Sequence, residues 1–150
     1  MNSQPHIFYG FTFFNEIELL PLKLEELWNI NNGNITFIVV ESDLTFSGMP
    51  KAIYLDLDKY QDMLKPYEDK IYRVLCRNYQ GVNPWVNEKR QRDIILKTPA
   101  TLPRSDRPYL NDILINADMD EIVSRESVQA WLDGETNHRP TALEMQMYYY

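Results

Sequence analysis

Two apolar runs separated by a helical stripe constrain this chain more than any other feature. Residues 7–14 (IFYGFTFF) and 35–40 (ITFIVV) are β-branched and aromatic, and the second is continuous in the way of a strand covered on both faces. Between them Ile17, Leu20, Leu24, Leu27 and Trp28 recur on one face at helical spacing. Asn15 offers a helix cap, and Glu16 and Glu18 suit the positive end of the helix dipole. Pro21 is tolerable only in a first turn, so the helix is expected to begin near Glu18. Asn31-Asn32-Gly33-Asn34 supplies a turn before the second run. Strand, helix and strand within about 40 residues form a right-handed crossover unit of a parallel sheet.

The rest of the chain extends that pattern. Residues 41–50 are a polar loop, residues 53–57 an extended piece, and residues 58–70 a charged stretch with one or two helical turns. A strand is expected at 71–76. Asn83-Pro84 opens a helix over 85–96 that should bury Trp85, Ile94 and Ile95. Residues 98–111 carry three prolines and read as a loop, followed by a buried strand at Ile113-Leu114-Ile115. Ser124 caps a helix reaching 133, and Gly134 stops it. Leu143, Met145, Met147 and Tyr149 alternate, which predicts a strand over 143–150. An aromatic strand at the last residue suggests a chain cut from something longer. The expectation is an α/β fold with a mostly parallel central sheet flanked by helices, in a single domain over residues 1–150.

Composition narrows the function. A chain of 150 residues with 44% hydrophobic and 13% aromatic content supports one real core. A formal charge of −7 disfavours a nucleic-acid groove, which needs a basic face. The single cysteine, Cys76, allows no internal disulfide and reads as a small apolar core residue. The apolar runs are strand-length, short of the ~20 residues of a membrane span, and a first strand starting near Ile7 is expected to leave no room for a secretory leader in the chain as given. The chain as given is expected to be soluble and cytoplasmic.

Chemistry concentrates where strands end. Asp118 and Asp120, with Glu121 beside them, follow the apolar strand at 113–115. Carboxylates at the mouth of a sheet are costly to desolvate unless a positive group sits among them, and a hard divalent cation carrying phosphate oxygens would supply it. An EF-hand loop is excluded because Ile122 stands at its fifth position. Asn15 and Glu16 follow the first strand, and Glu41, Ser42 and Asp43 the second. Ligands of such sheets bind at the carboxyl ends of the strands. Glu41 and Asp43 are therefore candidates for contacts to a base or ribose. Arg92 is a candidate for a diphosphate, although its spacing from Glu88 equally fits a surface ion pair. His6 and His138 are isolated, and no chemistry is assigned to them.

Four blocks resemble glycosyltransferase family 17, which includes the bisecting β-1,4-N-acetylglucosaminyltransferase acting on N-glycans. Residues 13–20 (FFNEIELL) resemble its opening motif, and residues 40–51 (VESDLTFSGMPK) its most distinctive one. Asn87-Glu88 with Gln91-Arg92-Asp93 is similar to its helix motif, and Asp112 with Ala117-Asp118-Met119-Asp120-Glu121-Ile122 to its acidic block. Ile122-Val123-Ser124 departs from the Ile-Pro-Ser expected there. The resemblance implies a GT-A type fold, a UDP-N-acetylglucosamine donor, a glycan or other sugar acceptor, and inversion at the anomeric carbon. By the same resemblance Asp118 and Asp120 would hold Mn²⁺ or Mg²⁺ on the diphosphate, Glu121 beside them is a third candidate ligand or a first-turn helix carboxylate, and Asn15, Glu16, Glu41 and Asp43 would surround the nucleoside. If the chain is a fragment of an anchored enzyme, the same resemblance implies the Golgi lumen. The catalytic base is left open among Glu126, Asp133, Glu135, Glu144 and sequence beyond Tyr150. Two alternatives stand beside this reading: a phosphatase-like enzyme with Asp118 as nucleophile, and a truncated or inactive relative that binds the nucleotide without turnover.

Overall fold

A computed structural model describes residues 4–77, 83–103 and 112–134. Its centre is a four-stranded sheet with all neighbours parallel, in the order β3-β2-β1-β4. The strands are β1 (Ile7–Phe13), β2 (Ile35–Ser42), β3 (Ile71–Cys76) and β4 (Ile113–Ala117). The helices are α1 (Leu20–Leu27), α2 (Gln61–Leu64), α3 (Pro84–Lys97) and α4 (Arg125–Leu132). The chain steps outward from β1 to β3, then crosses back to β4 on the other side of β1. This reversal opens a crevice between β1 and β4 at the carboxyl ends, where doubly wound sheets bind ligands.

Side-chain alternation decides what packs on each face. Ile7, Tyr9, Phe11 and Phe13 of β1 join Phe37 and Val39 of β2 under α1 and α4. Phe8, Ile38 and Val40 point the other way, against Ile95 of α3. Each fully buried side chain of this size contributes roughly 2–3 kcal/mol of transfer free energy, so the two central strands carry most of the core. Gly10 belongs to the α3 face, and a Cβ built there would collide with Ile95 Cγ2 and lie 3.2 Å from Ile95 Cβ. Gly10→Ala is therefore expected to cost about 2 kcal/mol through overpacking. Combined with Ile95→Ala, the loss measured by urea unfolding should fall well short of the sum of the single losses. Additive losses would mean that α3 does not press on this strand.

The crossover unit and the later strands and helices form as expected, with three differences. Asn15 does not cap α1: the helix starts at Leu20, after Leu19, with no side-chain cap. Instead Glu16 closes the turn after β1 by accepting the N–H groups of Phe14 and Asn15 at 3.0 and 2.9 Å. Trp85 is not buried, because it sits in the first turn of α3 and remains 77% exposed. Leu114 is 38% exposed, since β4 has a strand on only one side among the described residues. Residues 58–70 hold the expected short helical turns, as α2 and a 3-10 turn at Lys65–Lys70. Ser124 and Asn83 cap their helices as read, accepting from Ser127 N and Trp85 N. Cys76 is buried, and burial raises its thiol pKa. The strand expected at 143–150, with His138, Glu135 and Glu144, lies outside the described residues. No described helix is long and apolar enough to cross a membrane.

Candidate active site

A pocket of about 750 Å³ opens at the carboxyl ends of the strands. One wall is the end of β1, with Thr12, Phe14 and Glu16; a second is the loop after β2, with Leu44 to Ser47 and Lys51. The third is α3, through Pro84, Glu88, Gln91 and Arg92, and the floor is Asp118, Met119 and Asp120. The register explains the convergence. Phe11 pairs with Ala117 and Phe13 with Glu41, so the residues after β4 and β2 flank the end of β1.

The acidic turn is braced from both faces of the sheet. Arg92 of α3 donates from Nη2 to Asp118 Oδ1 at 2.6 Å and from Nε to Glu88 Oε1 at 3.1 Å. Burial works against its charge, but the two carboxylates more than offset it and the guanidinium pKa is raised. From the other face, Lys23 of α1 is fully buried and donates to the carbonyl of Asp118 at 2.7 Å and to that of Glu121. Its ammonium also lies 4.8 and 5.0 Å from the ring centres of Tyr9 and Phe11, within cation–π range. Burial pulls its pKa down to about 8 against the opposing pull of Glu121, Asp120 and Asp118. Tyr9 completes the brace, donating from its hydroxyl to Glu121 O at 3.1 Å.

The loop after β2 is a built wall. Thr45 N donates to Met49 O at 2.8 Å, Gly48 N returns to Thr45 O at 2.9 Å, and Leu44 bridges Pro50. Gly48 takes φ +81, which only glycine adopts without strain. Beneath the loop, Glu41 is fully buried and accepts from Tyr54 N at 2.6 Å, Leu55 N at 3.0 Å and Lys51 Nζ at 3.1 Å. Lys51 is held over the rings of Phe14 and Tyr54, at 5.1 and 4.9 Å from their centres.

The structure sorts the site residues read from sequence. Glu16, Arg92, Asp118 and Asp120 line one pocket. Glu41 was expected to touch a base or ribose, but its carboxylate lies under the wall with its oxygens taken by three protein donors. Asn15 is exposed on the rim and outside the lining. Asp43 stands next to pocket-lining Leu44, and its Oδ1 is buried with no hydrogen-bond partner. Glu121 was expected as a third metal ligand, yet its Oε2 accepts the backbone N–H of Asp118 at 2.7 Å and so straps the turn. Glu126 and Asp133 are exposed and do not line the pocket. Sequence reasoning missed Lys23, although its position three residues after Leu20 and four before Leu27, on the apolar stripe, was a signal.

The donor set limits what cation could bind. Among the described residues no group of three or more His, Cys, Asp or Glu forms a complete cage. Two carboxylates facing a pocket do suit Mg²⁺ or Mn²⁺, which keep waters and take the rest of their shell from substrate phosphates.

The model of glycosyltransferase family 17 matches residues 1–150 of this chain. No curated protein and no solved structure matches it.

Proposed function

This chain belongs to glycosyltransferase family 17, and from that premise we propose that its pocket transfers N-acetylglucosamine, with inversion, from a UDP-linked donor to a sugar hydroxyl in a metal-dependent reaction on a GT-A type scaffold. The observation that carries this reading is the acidic turn after β4, which turns Asp118 and Asp120 toward the pocket while Lys23 and Arg92 hold it from behind and beside. A pyrophosphate needs fixed positive charge at that floor, and Arg92 is the side chain in reach that can share between a carboxylate and phosphate oxygens. A cation on Asp118 and Asp120 would supply Lewis-acid neutralisation of the departing diphosphate. Glu121 and Lys23 act through the backbone of the turn and fix where the two carboxylates point.

The nucleoside belongs at the other end, between Phe14 and the loop carrying Phe46 and Lys51. Both rings are partly exposed into the pocket, and a base can stack on either. The buried, unpartnered Asp43 Oδ1 supports a donor from the nucleoside, a ribose hydroxyl or the imide N–H, arriving there on binding. Glu41 and Lys51 shape this end without touching the ligand through the Glu41 carboxylate.

The reading is tested by incubating the purified chain with UDP-N-acetylglucosamine and Mn²⁺ and following UDP release, with and without saccharide acceptors. Metal-dependent UDP release that Asp118→Asn abolishes is the expected result. Release of inorganic phosphate from sugar phosphates with no nucleotide requirement would contradict it. So would nucleotide binding that never leads to UDP release, which would mark an inactive relative.

A further inference from the structure

The buried stripe of α3 carries two amides with different surroundings. Asn87, Gln91 and Ile95 are the buried residues of this helix, and their four-residue spacing puts them on one face, toward the sheet. Ile95 packs with Phe8, Ile38 and Val40 and presses on Gly10. At the other end of the stripe, Asn87 donates from Nδ2 to Phe46 O at 2.7 Å. Gln91 lies one turn from each. It is 4% exposed and lines the pocket, yet its side-chain amide has no hydrogen-bond partner among the described residues.

The sheet supplies a second uncommitted group. Phe8 and Gly10 mark the α3 face of β1, so alternation puts Thr12 on that face, two residues closer to the carboxyl end. Thr12 also lines the pocket, and its hydroxyl has no hydrogen-bond partner among the described residues. Phe11 pairs with Ala117, which sets Thr12 level with Asp118. Arg92, the residue after Gln91, reaches that same aspartate. Both groups therefore belong beside the acidic floor, one turn along α3 from its tie to the Phe46 loop.

A buried amide with nothing to bond destabilises a fold, and methionine would fill similar space without that cost, so the amide at position 91 points to a ligand. Its chemistry narrows the class. An amide and a hydroxyl both donate and accept, whereas phosphate oxygens only accept and already have Arg92 in reach. Saccharide hydroxyls donate and accept in the same way. We propose that Gln91 and Thr12 form a neutral subsite that hydrogen-bonds the hydroxyls of a saccharide ring joined to the diphosphate. This rests on the transferase reading given above, in which the flat base stacks at Phe14 or Phe46. Two rings of such a donor flank its diphosphate, the ribose and the transferred sugar, and they share this chemistry.

The test titrates the parent chain, Gln91→Met and Thr12→Val with UDP, with 2′,3′-dideoxy-UDP and with UDP-N-acetylglucosamine, all in the presence of Mn²⁺. Gln91→Met is expected to weaken UDP-N-acetylglucosamine by about five- to tenfold, and Thr12→Val by about threefold. A loss confined to UDP-N-acetylglucosamine puts the transferred sugar in the subsite. An equal loss for UDP that disappears with the dideoxy nucleotide puts the ribose there. The melting temperature of Gln91→Met should equal or exceed that of the parent, because the substitution removes an unpartnered amide. Unchanged affinities in either variant, a loss that persists with the dideoxy nucleotide, or a lowered melting temperature in Gln91→Met would overturn the proposal. Failure of the parent to bind any of the three ligands sinks the transferase reading together with the subsite. Parent binding that Gln91→Met matches sinks the subsite alone.

Discussion

Glu41→Ala is expected to lose about 3–5 kcal/mol of stability, the usual cost of removing one partner from a buried charge pair. The carboxylate is fully buried and holds Lys51 Nζ together with the N–H groups of Tyr54 and Leu55. Without it, an ammonium and two backbone donors lose their acceptor in a region that admits little water. Glu41→Gln keeps one acceptor oxygen and should lose less. Urea unfolding checks both, and the order of losses should be Ala above Gln. The Ala variant should also bind UDP poorly wherever it remains folded, because Lys51 and the loop wall depend on the same carboxylate. An unchanged unfolding midpoint in Glu41→Ala would show that the loop is held by something else.

Lys23→Met should separate stability from binding. Methionine fills similar space between Tyr9 and Phe11, so packing survives. The carbonyls of Asp118 and Glu121 lose the ammonium, and each unsatisfied carbonyl costs about 1–3 kcal/mol. Relief from burying a charge, visible in the pKa of about 8, offsets part of this. The expected net loss is about 2 kcal/mol, read from urea unfolding. Binding should suffer more, because Asp118, Asp120 and Glu121 then face one another with one cation fewer. Affinity for UDP with Mn²⁺ is expected to drop by at least about tenfold. Undiminished metal-dependent affinity in Lys23→Met would remove Lys23 from the site.

Much of the sheet was legible because central parallel strands have a composition that little else shares. Residues 7–14 and 35–40 could hardly be anything but buried strands, and the helical stripe between them forces a crossover. The site was legible as a rim, since strand ends in such a sheet converge wherever the loops go. What each rim residue does was not legible. Glu41 and Asp43 look alike in sequence, yet one is saturated by donors from residues 51–55 and the other has an unpartnered oxygen. That difference depends on the path of a loop. Lys23 was masked by its type, because a lysine among leucines reads as a surface residue unless its acceptors, almost a hundred positions later, are known. Trp85 failed in the opposite sense. Helical spacing predicts a shared face, but it does not say where along the helix the sheet stops covering it.

The most direct measurement is calorimetric titration of UDP with and without Mn²⁺, on the parent chain and on Asp120→Ala. The parent should bind UDP at least about tenfold more tightly with Mn²⁺, and Asp120→Ala should lose that gain while keeping its fold by circular dichroism. Equal Mn²⁺-dependent tightening in both proteins would contradict a diphosphate held through a cation at the acidic turn.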